Sequence, residues 1–457
     1  MAKEGQQRHF NYEVLGPEML FPIPGNETLF DSTRLFNPAE VRKLSREKDG
    51  DYLKFRLIRR EILNILQVDN LADVPAIFNN EKKKAVIRHR LLEMYRRLYG
   101  LTEQSDRDIW RMIVAALKLA DGVIDIFENP EVGILKQYRT SMEMTNEVRA
   151  IEDPVDLLLL MFSPKATAVA QYEARRKLVL ADTAFHAQLF LEEAVKPMDS
   201  FLRTTQRLMF GGVIGATKHL EILSAHSPTD YSAQEVNILQ TGEKVGISPY
   251  NRYTNFVMRE WDYGSGKRLA AVESRTKDPR SLILKMLRKE TKDPYQTDDY
   301  LGAKLVFLSK ADIFRFLDTF SQKAAQDGIL LDFMEVADSI ENGMDFRALN
   351  NGASPSLEVV KAHVRVNGQM AELQMYTIRT FLDSRYHDDF GHETAYSFKR
   401  LFESGVVELL YPESIYGINF SNGEVLQAIR QQRRSATREE ALISLPKERR
   451  LSVEMTP

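Results

Sequence analysis

The chain has 457 residues, 43% of them hydrophobic, and a formal net charge of −3. That length suits two to three domains, and the near-neutral balance excludes a general nucleic-acid-binding polycation, so any phosphate site has to be local. The absence of cysteine excludes disulfides and thiolate metal sites and fits a cytoplasmic protein, as does a start without an apolar signal segment; the apolar run 157–162 is too short to span a bilayer.

Residues 1–35 read as an irregular arm, because Pro17, Pro22, Pro24 and Gly25 break every period. Helical texture begins at Pro38, where Leu53, Phe55, Leu57, Ile58, Ile62, Leu63 and Ile65 form an apolar face among basic residues. Ser105, with Asp108 three residues on, resembles a capping box. Ile109, Trp110, Ile113, Val114 and Leu117 continue from it at helical spacing, toward Asn129-Pro130. Asp153-Pro154 opens another helix, and 166–194 and 199–223 read as two more. Strand signal is weak before residue 240, so 36–235 is expected to be an all-helical domain.

Turn residues at 225–252 (His226-Ser227-Pro228, Gly242, Gly246, Ser248-Pro249) read as a boundary. The texture then alternates over 236–425. Strand signal at 269–273 and 301–308 brackets a helix at 279–289, and a helix at 311–327 precedes an apolar strand at 330–336. Strands 359–366 and 369–374 are predicted to pair as a hairpin across Asn367-Gly368. One or two helices follow over 377–404, stopped at Gly405. Residues 426–457 read as a charged tail, partly helical and then disordered. The fold class expected is α+β: an all-helical N-terminal domain followed by a mixed sheet flanked by helices.

The chemistry gathers in the second half. Arg275 and Lys277 alternate, so on a strand they share a face; Ser281 and Lys285 are four apart, so on a helix they share a face. A strand feeding a helix N-terminus there gives cations, a hydroxyl and free backbone N–H groups for phosphates. A solvated helix face accounts for the same residues, since Arg280, Arg288 and Lys289 are basic too. Asp299 precedes the 301–308 strand, and Glu372 lies inside the apolar run 370–375, where an unpaired carboxylate is costly. Two carboxylates on neighbouring strands suit Mg²⁺; a salt bridge to Lys304 or Arg365 is the plainer reading. His392, Tyr396 and Lys399 fall on one helical face. The glycine-rich stretch 211–218 lacks phosphate-loop spacing and reads as a helix junction, and 264–267 reads as a turn.

Four ordered motifs resemble the synthetase domain of the RelA/SpoT family of alarmone synthetases. Arg275-x-Lys277-x-x-x-Ser281-x-x-x-Lys285 is similar to the family's ATP-phosphate stretch. Asp299-x-x-Gly302-x-Lys304 is similar to its magnesium-binding strand, with Lys in place of Arg. Glu372-x-Gln374-x-x-Thr377 and His392-x-x-x-Tyr396 complete the set. The loop counterpart at 351–358 keeps Ser356 and Leu357 but has neither the Tyr nor the His of the family. A missing aromatic stack removes ~1–3 kcal/mol of base binding, judged from stacking elsewhere.

The resemblance implies a nucleotidyltransferase-type fold and a Mg²⁺-dependent pyrophosphokinase. Arg275, Lys277, Ser281 and Lys285 would bind ATP, while Asp299 and Glu372 would hold the metal or do the catalysis. Lys304, Gln374 and His392 would position the groups. Partners implied are ATP and a second nucleotide, GDP or GTP by family habit, and no membrane. The helical domain would serve regulation, a protein partner or oligomerisation. Two other readings stay open: a catalytically silent nucleotide-sensing or scaffolding module, and a tRNA-modifying toxin-like synthetase whose RNA would meet Arg288, Lys289, Lys292 and Arg400.

Overall fold

A computed structural model describes residues 65–449 except 70, 130–132, 139–145, 164, 211–216, 263–265, 277, 290–293, 295–300, 341–357 and 392–396. In chain order its elements are α1 (Glu81–Leu98), α2 (Asp106–Glu128), α3 (Asn146–Ala150), α4 (Pro154–Met161), α5 (Ala168–Phe210), β1 (Thr217–His226), β2 (Ala233–Ile238), β3 (Asn251–Asp262), β4 (Lys267–Thr276), α6 (Pro279–Arg288), β5 (Leu301–Phe307), α7 (Lys310–Gln326), β6 (Leu331–Asp338), β7 (Val360–Val366), β8 (Gln369–Thr377), α8 (Ile378–Tyr386), α9 (Ser397–Glu403), α10 (Val406–Leu410), α11 (Glu413–Tyr416) and α12 (Gly423–Ser444). Helices and one mostly antiparallel eight-stranded sheet make an α+β protein. Among the described residues no helix is long and apolar enough to cross a membrane. The predicted features of 1–64 lie outside the described residues, apart from the end of that apolar face.

The chain forms two compact units that interleave in sequence. A helical unit comprises Met1–Leu191, Asp278–Pro294 and Ser404–Phe420; a sheet unit comprises Glu192–Lys277, Tyr295–Glu403 and Ser421–Pro457.

In the helical unit, α2 starts where its sequence says it should. Ser105 accepts a hydrogen bond from the Asp108 N–H, satisfying one of the helix's orphan donors. Asp153 caps α4 in the same way, with Pro154 in the first turn, where its missing N–H costs nothing. Ile109, Ile113, Ala116, Leu117, Ala120 and Val123 form the buried stripe of α2. The helix α6 buries Leu282, Ile283, Leu284, Met286 and Leu287. Gly122 of α2 lies under Arg280, whose Cδ would stand 3.2 Å from an added Cβ.

The strand order of the sheet unit is β2-β1-β3-β4-β5-β8-β7-β6, and among the described residues only β5 and β8 run parallel. One face packs on α7. Ile313, Phe316, Phe320 and Ala324 recur at helical spacing and meet Leu305, Phe307, Val360, Ala362, Leu373 and Met375. The other face is apolar only toward one end, where Ile378, Phe381, Leu382 and Tyr386 of α8 cover Ala271, Val306 and Tyr376. Asn367 and Gly368 both take positive φ, 49° and 86°. That is what a two-residue hairpin between right-twisted strands requires, and the β7–β8 hairpin stands as predicted.

Three expectations are corrected. Strands do precede residue 240: β1 and β2 occupy 217–238, and the expected boundary at 225–252 lies inside the sheet. The strand β1 hid because Leu220, Ile222 and Leu223 also fit a helix, and two of its buried positions are the polar Ser224 and His226. The two helices expected over 166–194 and 199–223 are one 43-residue helix through Pro197, followed by β1. An interior proline removes one backbone hydrogen bond, a cost a long helix absorbs. The charged tail is helical over the 22-residue α12, in keeping with its partly helical reading. Few apolar residues of α12 are buried, and polar ties hold it instead. Arg438 Nη2 lies 2.9 Å from Asp388 Oδ2, Arg434 Nη2 lies 2.9 Å from Asp389 Oδ1, and Arg252 donates to the Thr437 carbonyl at 2.7 Å.

Candidate functional site

Strand register assembles the site. In the parallel pair, Gly302 stands beside Glu372 and Lys304 beside Gln374. Across β4 and β5, Arg275 pairs with Gly302 and Glu273 with Lys304. Across β7 and β8, His363 pairs with Glu372 and Lys361 with Gln374; across β6 and β7, Glu335 pairs with His363. Directly paired residues share a sheet face. One row of positions therefore runs Arg275, Gly302, Glu372, His363, Glu335, and a neighbouring row holds Glu273, Lys304, Gln374 and Lys361.

Glu372 is the centre of this patch. It is 5% exposed, and each of its oxygens has a partner. Lys361 Nζ lies 2.5 Å from Oε1, and Gln374 Nε2 donates to Oε2 at 2.6 Å. The Tyr376 hydroxyl donates to Gln374 Oε1 at 2.9 Å, which fixes the amide's orientation. His363 Nε2 lies 3.7 Å from the same Oε1, and its Nδ1 lies 3.2 Å from Glu335 Oε2. The carboxylate is thus neither bare nor bridged to Lys304 or Arg365. Its cation is Lys361, which the motif reading passed over. The Lys304 ammonium stands 5.9 Å from the Phe381 ring centroid, over its face, at the α8 end of the patch.

Gly302 leaves room beside Glu372. An added Cβ would meet only the Glu372 carbonyl, at an ordinary 3.6 Å.

Strand register does not bear on the remaining candidates. Ser281 and Lys285 lie on α6 of the helical unit, while Arg275 lies on β4 of the sheet unit. Register brings Arg275 into the Glu372 row; it does not bring Ser281 and Lys285 there. Lys277, Asp299, His392 and Tyr396 lie outside the described residues, as do residues 351–357 of the expected acceptor loop. Lys399 is on α9, with its ammonium 3.6 Å from Glu403.

The donor chemistry bears on magnesium. Among the described residues no group of three or more acidic or histidine side chains is placed to hold an ion. Glu372 already shares one oxygen with an ammonium and gives the other to an amide. That set does not fit a Mg²⁺ site, which wants oxygen ligands at octahedral positions.

Two groups with displaced proton affinity sit on or against α8. Burial, against its bond to the Tyr231 carbonyl and with help from nearby Arg252, pushes His226 down to about 4. Its Nε2 lies 2.9 Å from Ser224 Oγ, yet both residues are sealed in the core. This neutral pair is packing, not an exposed nucleophile. Burial pushes Asp383 up to about 6, against the Ala233 N–H that donates to it at 2.6 Å.

Lys361 and His363 were within reach of the sequence. Residues 360–366 alternate strictly between apolar and polar, and a two-residue turn at Asn367-Gly368 pairs Val366 with Gln369. Counting back from there puts His363 opposite Glu372 and Lys361 opposite Gln374. No protein-family model matches this chain, and no curated protein matches it.

Proposed function

We propose that the sheet unit is a RelA/SpoT-like synthetase that moves pyrophosphate from ATP to the ribose 3′-hydroxyl of a second nucleotide, with GDP or GTP as the family's acceptor. The parallel pairing of β5 with β8 carries this reading. It sets Gly302-x-Lys304 and Glu372-x-Gln374 side by side in register, with Arg275 opposite Gly302. Residues from three motifs thereby share one patch of sheet.

In this reading Glu372 takes the proton of the attacking hydroxyl. The hydroxyl O–H bond breaks and its oxygen attacks the β-phosphorus. The bond from that phosphorus to the α–β bridging oxygen breaks, and AMP leaves with the electron pair. Lys304 and Arg275 supply positive charge toward the transferring phosphates. Gln374, oriented by Tyr376, holds the other oxygen of Glu372. Magnesium belongs to the proposal as the counter-ion of ATP, with Asp299 the residue named for it by the resemblance.

The test is transfer of label from γ-³²P-ATP to GDP, GTP, AMP, ADP or bulk tRNA, each supplied separately with Mg²⁺. Label should reach one nucleotide, and Glu372→Gln should slow it by about 10²–10⁴-fold, the usual worth of a general base. Bound ATP with no transfer to any acceptor would sink the enzyme reading and leave a nucleotide-sensing module. Label on tRNA alone would assign the toxin-like reading.

A further inference from the structure

We propose that Lys361 is the positioning residue of this site, and that its ammonium occupies the place at Glu372 where the motif resemblance puts a metal ion. The proposal rests on the reading of Glu372 as the group that takes the proton.

The geometry is specific. Lys361 and Glu372 stand on adjacent strands of one hairpin, whose register is locked by the two-residue turn. The ammonium lies 2.5 Å from Oε1, and the Gln374 amide lies 2.6 Å from Oε2. Two donors, one at each oxygen, fix both the position and the plane of the carboxylate. The Lys361 side chain is 23% exposed and that of Glu372 is 7% exposed, so the pair is shielded from solvent on the carboxylate side. Burial of that kind makes the charge of the lysine matter, because water does not compensate for its loss.

A divalent ion would need the same oxygen. Placed on Oε1, it would stand against the Lys361 ammonium, and two cations on one buried oxygen repel. Moved to Oε2, it would displace the amide that Tyr376 holds in place. His363, 3.7 Å from Oε1 with its other nitrogen near Glu335, closes the β6 side. Lysine is also the group a proton-accepting carboxylate can keep beside it. It brings charge without a lone pair, so it cannot compete for the hydroxyl proton. Glu372 is therefore assigned to proton transfer alone, and any ion that accompanies ATP binds without it.

Two measurements on the full chain test this. The first is turnover of Lys361→Met and Lys361→Arg. Methionine keeps the bulk of the stem and removes the charge. It should lower kcat by about 10²-fold, the scale of a misplaced reacting group, with KM for ATP within about twofold of wild type. Arginine should restore kcat to within about fivefold, which a purely structural role for the charge at a distance would not require. Wild-type kcat in Lys361→Met would overturn the positioning role. The second needs no turnover: Mn²⁺ affinity by electron paramagnetic resonance, with α,β-methylene-ATP present, in wild type and Glu372→Gln. Unchanged affinity supports Lys361 in the metal's place, and a tenfold or greater loss in Glu372→Gln refutes it. An inactive wild type would remove the synthetase reading, while the Mn²⁺ comparison would still judge whether Glu372 holds an ion.

Discussion

Asp182 makes the stability of the helical unit depend on pH, and replacing it with asparagine should remove that dependence. Its carboxyl lies on α5 inside the core, where the Tyr99 hydroxyl donates to Oδ1 at 2.9 Å. Burial raises its proton affinity, against that hydrogen bond, from 3.8 to about 7. Tyr95, Tyr99 and Phe185 wall the site, with Tyr95 and Phe185 ring centroids 4.8 Å apart. The sign follows from proton counts. Between pH 4 and 7 the unfolded carboxyl has lost its proton while the folded one keeps it, so the folded state binds more protons and stability falls as pH rises. The contribution is fully present below the unfolded value and lost as pH passes the folded one. A displacement of that size corresponds to ~4 kcal/mol in total, of which ~2–3 kcal/mol falls between pH 5 and 8. Asparagine keeps the acceptor for Tyr99 and cannot ionise. The assay is urea unfolding followed by Trp110 fluorescence in a Trp261→Phe background, at pH 5 and pH 8. Asp182→Asn should lose less stability across that interval than its parent, by roughly the same ~2–3 kcal/mol. Equal losses in the two proteins would refute the assignment. Tyr99→Phe removes the bond that favours the ionised form, so its stability should fall over a window shifted to higher pH.

Other substitutions test the packing. Arg176 is buried, with Nη2 3.3 Å from Glu128 Oε1, Nη1 donating to the Leu410 carbonyl at 3.0 Å, and its guanidinium 4.7 Å from the Tyr411 ring centroid. Arg176→Ala should cost ~3–5 kcal/mol, because it removes the buried cation that faces Glu128 and Glu173; adding Glu128→Ala should recover part of that in a double-mutant cycle. Phe316 is 1% exposed between α7 and the sheet. Phe316→Ala should cost ~3–5 kcal/mol in urea unfolding read from Trp261, whose ring centroid is 5.8 Å away. Gly368→Ala forces a side chain into φ 86° and should cost about 1 kcal/mol or more; an unchanged melting temperature would remove the hairpin turn from the account of register.

The sequence carried the local decisions of this fold. Ser105 and Asp153 start their helices because a short polar side chain there satisfies a free N–H, and no distant residue is needed for that. Asn367-Gly368 turns the chain for an equally local reason, and with period-two alternation it fixes which residues of β7 face which residues of β8. What the sequence could not decide is what depends on partners far along the chain. The strand β1 was hidden because its inward polar residues find partners only once folded: His226 bonds the Tyr231 carbonyl and Ser224 donates to the Arg252 carbonyl. The helix α12 holds through arginines whose aspartates lie 50 residues or about that away, at Asp388 and Asp389. Arg275 belongs to the sheet unit, and Ser281 and Lys285 to the helical unit. Spacing along a chain says which residues can share a face of one element; it does not say which core that element will join. Glu372 shows the division most plainly. Its place inside an apolar strand required a partner, since a lone buried carboxylate is unaffordable in free energy. Only the pairing of β7 with β8 determined that the partner is Lys361.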